Sequence, residues 1–347
     1  MPRKARIDAP GALHHIIIRG IERRAIFKNA ADRSDFLERL ELILPQTMTS
    51  CYAWVLMTNH VHLLLRTGLD PIATVMRRLL TGYAVSFNRR HRRHGHLFQN
   101  RYKSILCEED VYLKELVRYL HLNPVRAKII NNIKQLQSYP YSGHSALMGK
   151  AKHDWQDTEY VLKLFDPSIA AARRSYNAFV TKGMVQGRRP DLVGGGLLRS
   201  VGGWFELKEF RDSGIRIKGD ERILGSSDFV DRVLRQAEED LEERYRLETF
   251  GVDFDSLLLK VARYYETDPD DLQTASKAST ITKARTVLCY LAVRKLKISC
   301  ADVARALRIS PTTVSRAVGR AADIEDLKQL QNYFLKDTQM QNAGGRI

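Results

Sequence analysis

The chain has 347 residues, enough to bury more than one hydrophobic core, and its formal net charge at pH 7 is +16. Its four cysteines lack paired C-x-x-C spacing, which argues against a disulfide framework and against a cysteine zinc site. No stretch reaches the roughly 20 apolar residues that a membrane-spanning helix requires. We therefore expect a soluble, cytoplasmic protein with no membrane partner.

The positive charge is concentrated in two blocks. Residues 1–150 carry 24 Lys and Arg against 11 Asp and Glu, and residues 275–322 carry 10 against 1, whereas residues 151–274 carry 19 against 24. Two basic blocks with an acidic segment between them indicate two surfaces for a polyanion, and nucleic acid is the polyanion we expect. A solvated basic surface that binds nothing specific is the alternative.

The pattern of apolar residues in the first block predicts alternating strands and helices. In chain order these are strand 12–20, helix 32–45 with Asp32 as N-cap and a terminating proline, two strands within 51–66 divided by a turn at Thr58–Asn59, helix 70–91, strand 101–108, and helix 109–124 stopped by Pro124. This order predicts an α+β fold, the ferredoxin-like split βαβ arrangement, with an antiparallel sheet and helices on one face.

His60 and His62 interrupt the second strand of the predicted hairpin. Side chains two residues apart on a strand project to the same face, so the two imidazoles can share a divalent ion. Two ligands seldom suffice, and half-buried strand histidines with ordinary partners are the alternative. A third ligand and a reactive group would be needed for a metal-dependent active site.

The helix 109–124 offers both of these groups. Tyr119 and Asn123 are four residues apart and are expected on one helical face. Tyr119 could attack a phosphodiester and form a phosphotyrosine ester while Asn123 ligates a metal that stabilises the transition state. Alternatively, Tyr119 packs the helix against the sheet and Asn123 only precedes the terminating proline.

Basic residues near this site are candidates for contact with the DNA backbone, interleaved with aromatic residues that could stack on unpaired bases. The basic candidates are Arg19, Arg23, Arg24, Arg77, Arg78, Arg89, Arg90, Arg92, Arg93, Arg101 and Lys103. The aromatic residues are Tyr83, Phe87, Phe98 and Tyr102, and those of the helical part, Tyr83 and Phe87, could equally belong to the core. Three histidines at 91, 94 and 96 raise a zinc alternative, but the surrounding arginines favour a phosphate-binding loop.

Beyond residue 150 the sequence predicts an acidic, mostly helical spacer with a glycine-rich hinge at 188–203. The second basic block predicts a helix-turn-helix formed by 299–309 and 310–323, with Ala304 at the crossing and Val314 and Val318 on the inner face. The residues predicted to face a DNA major groove are Ser310, which also caps the second helix, Thr312, Thr313, Ser315 and Arg316. A small helical bundle for protein contact is the alternative.

Several sequence blocks between about residues 8 and 147 resemble the HUH tyrosine transposases, specifically the REP-associated tyrosine transposases. The blocks are HHIIIRGIERRAIF (14–27), NHVHLLL (59–65), LFQNRYKSILCE (97–108), RYLHLNPVRA (118–127) and YPYSGHSALMG (139–149). The second basic block is similar to the duplex-binding helix-turn-helix domain of the replication initiator DnaA, although Ser310-Pro311 replaces the Asp-His pair found there.

The transposase resemblance implies metal ligation by His60, His62 and Asn123 and nucleophilic attack by Tyr119. It also implies Mg²⁺ or Mn²⁺ as cofactor, and cleavage of single-stranded DNA beside hairpins of repeated extragenic palindromes through a 5′-phosphotyrosine link. We expect a catalytic domain at 1–150, a spacer at 151–250, a duplex-binding domain at 251–325 and a tail at 326–347. A DNA-binding regulator with a vestigial nuclease centre is the second hypothesis, and both a monomer and a homodimer are open.

Overall fold

The computed structural model describes residues 7–8, 11–68, 70–187, 189, 192, 220–249, 252–274 and 278–335. Contacts divide the chain into two compact units, Met1–Arg235 and Gln236–Ile347, which are described one at a time. These limits differ from the expected boundaries at residues 150 and 250. Apart from residues 189 and 192, the predicted hinge at 188–203 lies outside the described residues, as does the end of the predicted tail from 336 onward.

The first unit begins with the predicted alternation of strands and helices. Its elements are β1 (Leu13–Arg19), α1 (Ala30–Gln46), β2 (Ser50–Leu56), β3 (His60–Arg66), α2 (Ile72–Arg90), β4 (Lys103–Cys107) and α3 (Glu109–His121). The sheet has the strand order β2-β3-β1-β4-β5, and the pairs β2–β3, β3–β1 and β1–β4 are antiparallel. The predicted split βαβ arrangement is therefore confirmed. A short strand, β5 (Ile223–Leu224), adds to β4 in parallel.

Helices cover both faces of this sheet, whereas the element order predicts helices on one face only. Ile16, Ile18, Val61 and Leu63 pack in one core with residues of α1 and α2. The opposite face packs against α3 through a second set of buried residues, which includes Leu13, Tyr52, Val55, Leu64, Ile105, Leu116, Val117 and Leu120. Because the strands are apolar on both sides, a single layer of helices would leave one apolar face in water.

Two predicted helix limits are wrong. α1 begins at Ala30, because Asn29 is the N-cap and forms a capping box with Asp32, so Asp32 is the third helical residue and not the cap. α3 ends at His121, and a separate short helix, α4 (Asn123–Arg126), follows after Leu122 with its proline near the start. Proline lacks a backbone N–H and fixes φ, which suits the first turn of a new helix.

The chain after α4 stays packed on the first unit. It forms α5 (Ile133–Gln137), α6 (His144–Leu147), α7 (Thr158–Lys163) and α8 (Ile169–Lys182). Val161, Leu162, Tyr176 and Val180 are buried in the same core as α3. Much of the segment expected to be a spacer therefore completes the hydrophobic layer over the second face of the sheet. A long helix, α9 (Ser227–Thr249), spans the limit between the two units.

The second unit is helical. Its elements are α10 (Phe254–Tyr264), α11 (Pro269–Leu272), α12 (Ser279–Arg294), α13 (Cys300–Ala306), α14 (Pro311–Arg320) and α15 (Leu327–Leu335). α13 and α14 form the predicted helix-turn-helix, and Ala304, Val314 and Val318 are at most 4% exposed, as expected. α15 packs on α10 through Tyr264 and Phe334, whose ring centroids are 5.3 Å apart. Among the described residues, no helix is both long and apolar enough to cross a membrane.

Candidate active site

The two strand histidines lie on the face of the sheet that α3 covers. Their neighbours Val61 and Leu63 point into the core formed with α1 and α2, so alternation turns His60 and His62 to the opposite side. The ring centroids of His60 and His62 are 5.2 Å apart. The structure therefore places both imidazoles together, within reach of a shared ligand.

Asn59 sets the proton position on His60. The Asn59 side chain donates from Nδ2 to the backbone carbonyl of Arg23 at 2.9 Å, which turns its Oδ1 towards His60 Nδ1 at 2.7 Å. Because that oxygen can only accept, His60 carries its proton on Nδ1 and keeps a lone pair on Nε2. Burial, with a smaller contribution from the charge of Arg19, lowers the pKa of His60 to about 4. His60 is therefore neutral at pH 7, the form that binds metal ions.

His62 has a histidine partner, His15, that was not among the predicted site residues. His15 on β1 lies with its Nε2 2.9 Å from His62 Nδ1, and both side chains are buried. Ile17 is directly opposite His62 in the antiparallel register, so His15, two residues earlier, lies on the same face. Burial, then the neighbouring His15, His60 and Arg19, hold the pKa of His62 well below its usual range. A proton on His62 Nδ1, donated to His15, would leave His62 Nε2 free as a ligand.

Tyr119 on α3 lies against this group of histidines. Its ring centroid is 6.1 Å from that of His62 and 6.2 Å from that of His15, with the rings edge-on in both pairs. The tyrosine is partly buried against the core under α3. The structure thus brings the predicted nucleophile to the predicted metal-binding histidines of the same chain.

Asn123 lies on α4 and not on a continuous helix with Tyr119. Its Nδ2 donates to the carbonyl oxygens of Tyr119 at 2.9 Å and Leu120 at 3.2 Å, which satisfies the end of α3. Within the described part of the chain, its Oδ1 makes no hydrogen bond, and no hydrogen bond or ion pair joins Asn123 to His60 or His62. The amide oxygen is available as a ligand, but the structure does not show it in the histidine group.

Two neutral imidazoles with free Nε2 lone pairs fit a divalent cation. Across the described residues, no group of three or more His, Cys, Asp or Glu side chains is arranged to hold one. Further ligands would have to come from an amide oxygen such as Asn123 Oδ1, from phosphate oxygens or from water.

Most of the predicted DNA-binding basic residues are on the surface. The exposed ones are Arg19, Arg23, Arg24, Arg77, Arg89, Arg90, Arg92, Arg101 and Lys103. Arg78 and Arg93 are partly buried: Arg78 donates to the Gln46 side chain, and Arg93 donates to Asn88 and to the carbonyl of His96. These two arginines have partners within the protein.

Arg90 and His91 belong to an ionic cluster around the buried Asp32, in the first turn of α1. Both contact the carboxylate of Asp32, at 2.7 and 2.9 Å, and Arg90 also contacts Asp35. Burial opposes ionisation of Asp32, but hydrogen bonds from the Lys28 backbone, His91 and Arg90 outweigh it and lower the Asp32 pKa. The charge of Arg90 is therefore matched inside the fold, and His91 does not join His94 and His96 in a zinc site.

Three of the four candidate stacking aromatics, Tyr83, Phe87 and Tyr102, are buried in the core formed with α1 and α2. Tyr83 and Phe87 are fully buried between α1 and α2, so they are core residues. Phe98 is partly buried against the same core, and together with Tyr102, Arg77 and Arg101 it lines a cavity of about 580 Å³ between α2 and the loop at 95–102. A groove with aromatic walls and basic edges is suited to single-stranded nucleic acid.

In the helix-turn-helix, Ser310 caps α14 by accepting a hydrogen bond from the Thr313 N–H at 3.1 Å. Thr312, Thr313 and Arg316 are exposed, as predicted. Ser315 is only 4% exposed and does not face outward, because it lies between Val314 and Val318 on the inner side of the helix. Arg320, one turn after Arg316, is exposed and was not predicted. Arg308 takes the left-handed turn position, at φ 53°, that glycine usually occupies.

Comparison with known proteins gives two family matches and one structural match. Residues 10–123 match the family "Transposase IS200 like", and residues 254–320 match the family "Bacterial dnaA protein helix-turn-helix". A solved structure described as "Structure of the REP associates tyrosine transposase bound to a REP hairpin" matches with 15% identity and a TM-score of 0.36, over 45% of this chain and 98% of that chain. No curated protein matches.

The first family match covers the transposase-like blocks at 14–27, 59–65 and 97–108 and the first part of 118–127, and it confirms the resemblance to transposases at the level of the IS200-like family. The second match confirms the resemblance of the second basic block to the DnaA helix-turn-helix domain. The first spans β1 to the end of α3, which includes His60, His62 and Tyr119, and the second spans α10 to α14. The chain thus joins a segment similar to IS200-like transposases to a segment similar to the DnaA helix-turn-helix domain.

Proposed function

We propose that this protein is a metal-dependent transposase-type nuclease that cuts single-stranded DNA through Tyr119. The observation that carries the proposal is the position of Tyr119, whose ring lies 6.1 Å from that of His62, beside a second neutral histidine. A tyrosine with an ordinary pKa of about 10 is a weak nucleophile, and a cation-binding pair beside it supports a catalytic role. The family match over residues 10–123 supports the same chemistry.

In the proposed step, Tyr119 Oη forms a bond to the phosphorus of the scissile phosphodiester, and the bond from phosphorus to the 3′ oxygen breaks. The Oη proton passes to solvent, and the 3′ oxygen takes up a proton. The product is a 5′-phosphotyrosine and a free 3′ hydroxyl, so the strand can be rejoined without an external energy source. Mg²⁺ or Mn²⁺, held by His60, His62 and the Asn123 amide, would withdraw charge from the phosphate oxygens.

Hairpins of repeated extragenic palindromes are the proposed substrates, on the basis of the sequence blocks that resemble REP-associated tyrosine transposases. The helix-turn-helix at α13–α14 is proposed to bind duplex DNA, because α14 exposes Thr312, Thr313, Arg316 and Arg320 within the basic block at 275–322. A DNA-binding regulator with an inactive nuclease centre is the competing function, and loss of cleavage with retained duplex binding would favour it.

We further propose that Tyr119 acts with the histidines of its own chain, because those histidines already adjoin it within one chain. Mixing the Tyr119→Phe variant with the His60→Ala variant tests this. If each active site uses one chain only, the mixture forms no covalent DNA adduct. Recovery of the adduct in the mixture would show that two subunits share a site.

The experiment that tests the function uses labelled hairpin oligonucleotides from palindromes of the host genome. With Mn²⁺ or Mg²⁺ the full-length protein is expected to cleave the single strand beside the hairpin, and chelation with EDTA should stop cleavage until metal is restored. The His60→Ala and His62→Ala variants should lose cleavage and keep the fold. Cleavage that persists in EDTA, or in both histidine variants, would refute the metal site.

A further inference from the structure

Arg126, the last residue of α4, folds back over the proposed nucleophile. Its Nη1 donates to the backbone carbonyl of Tyr119 at 3.1 Å, and its guanidinium carbon lies 5.0 Å from the centroid of the Tyr119 ring. The short helix α4 starts at Asn123 and brings the Arg126 side chain back to the end of α3. A fixed positive charge therefore lies against the ring that is proposed to attack phosphorus.

The charge of Arg126 has no acidic partner among the residues that the structure describes. Its side chain is partly buried, and its Nε makes no hydrogen bond. Burial lowers the pKa of the guanidinium, Tyr119 opposes that change, and the neighbouring cations Arg189 and Arg118 lower the pKa further. A desolvated cation beside other cations is costly to keep unless an anion binds there.

Arg118, the residue before Tyr119, shows the contrasting arrangement. Its guanidinium also stacks on an aromatic ring, that of Phe179, at 4.1 Å, and it also donates to a backbone carbonyl. Its charge, however, is matched by the carboxylate of Glu115. The two arginines thus make similar packing contacts, but only Arg126 presents unmatched positive charge beside the nucleophile.

We propose that Arg126 is a catalytic residue that binds a non-bridging oxygen of the scissile phosphate while Tyr119 attacks it. This assignment rests on the proposed function. A guanidinium presents N–H donors in a planar fork that matches phosphate oxygens. Because negative charge on those oxygens increases in the transition state, a donor held in place beforehand lowers the barrier to cleavage more than it strengthens DNA binding.

A substrate with a methylphosphonate at the scissile position tests the assignment, since a methyl group there replaces one charged non-bridging oxygen. On the ordinary phosphodiester, the Arg126→Gln variant should cleave about 10²- to 10³-fold more slowly than wild type in single turnover, the range seen on loss of one oxyanion donor. On the methylphosphonate, the cleavage rates of wild type and variant should differ by no more than about threefold if the removed oxygen was the partner of Arg126.

The matched control is Arg118→Gln, which removes a stacked guanidinium of the same helix end but should affect both substrates equally. An equal loss in Arg126→Gln on both substrates would show that the side chain only supports the Tyr119 ring, and would overturn the assignment. If thermal unfolding shows that Arg126→Gln is not folded, Arg126→Lys is compared in its place, with the same expected difference between substrates.

Two failures are distinguishable. If wild type forms no covalent adduct with any hairpin substrate, the proposed function and this assignment both fall. If wild type forms the adduct and the Arg126 variants form it equally fast, the assignment to Arg126 falls and the proposed function stands.

Discussion

Acidification should destabilise the first unit through a buried histidine remote from the proposed metal ligands. His144 on α6 is fully buried, with its Nδ1 2.8 Å from the Tyr176 hydroxyl, and burial lowers its pKa to about 3. In the unfolded chain the pKa is about 6.5. Because the folded pKa is the lower one, the stabilising contribution is complete above pH 6.5 and is lost as the pH falls towards 3.

The magnitude follows from proton uptake. Between pH 7.5 and 5.5 the unfolded imidazole becomes mostly protonated while folded His144 stays neutral, which costs about 1.4 kcal/mol of unfolding free energy. The assay is urea unfolding of wild type and the His144→Asn variant at both pH values. On going from pH 7.5 to pH 5.5, wild type should lose about 1.4 kcal/mol more unfolding free energy than the variant does. This difference is expected whatever the stability of the variant is at pH 7.5.

The exposed His94 supplies the control, a His→Asn replacement that opens no buried site. An identical loss on acidification in wild type and His144→Asn would refute the reasoning, since it would mean that His144 binds protons equally in the folded and unfolded states.

Three further predictions concern packing and DNA contact. Tyr176→Phe removes the hydroxyl that joins the buried Nδ1 atoms of His121 and His144, at 2.7 and 2.8 Å, and should cost about 2–6 kcal/mol in urea unfolding, at about 1–3 kcal/mol for each orphaned atom; a change below measurement error would contradict the network. Arg308→Gly relieves a left-handed φ of 53° and should slow amide exchange in α13 and α14, for a net gain of about 0.5–1 kcal/mol; faster exchange would count against it. Arg316→Ala should weaken duplex binding and reduce the salt slope by about 1, and an unchanged slope would remove Arg316 from the interface.

The split βαβ core could be predicted because its strands and helices have different apolar periods along the chain. The pair His60 and His62, and the helix with Tyr119, are likewise local patterns. His15 could not be assigned from local pattern, because its contact with His62 depends on the register between β1 and β3, 47 residues apart. The antiparallel register is the information needed: Ile17 is paired with His62, and this pairing places His15 on the same face as His62.

The layer over the second face of the sheet was missed for a related reason. The segment from 133 to 163 forms helices of four to six residues, too short to show a clear helical period. From residue 151 onward it belongs to the block 151–274, whose acidic composition suggested a solvated spacer, yet Val161 and Leu162 are buried. Burial of Ser315 could have been predicted, since it lies beside Val314 on the face that Val318 continues.

The most direct test of the central claim is to identify the residue that becomes linked to DNA. Full-length protein is incubated with Mn²⁺ and a single-stranded hairpin substrate, the DNA is digested with nuclease, and peptides are sequenced by mass spectrometry. The account predicts a nucleotide on Tyr119, joined through a 5′ phosphate, and no adduct in Tyr119→Phe. An adduct on another tyrosine, or an undiminished adduct in Tyr119→Phe, would contradict it.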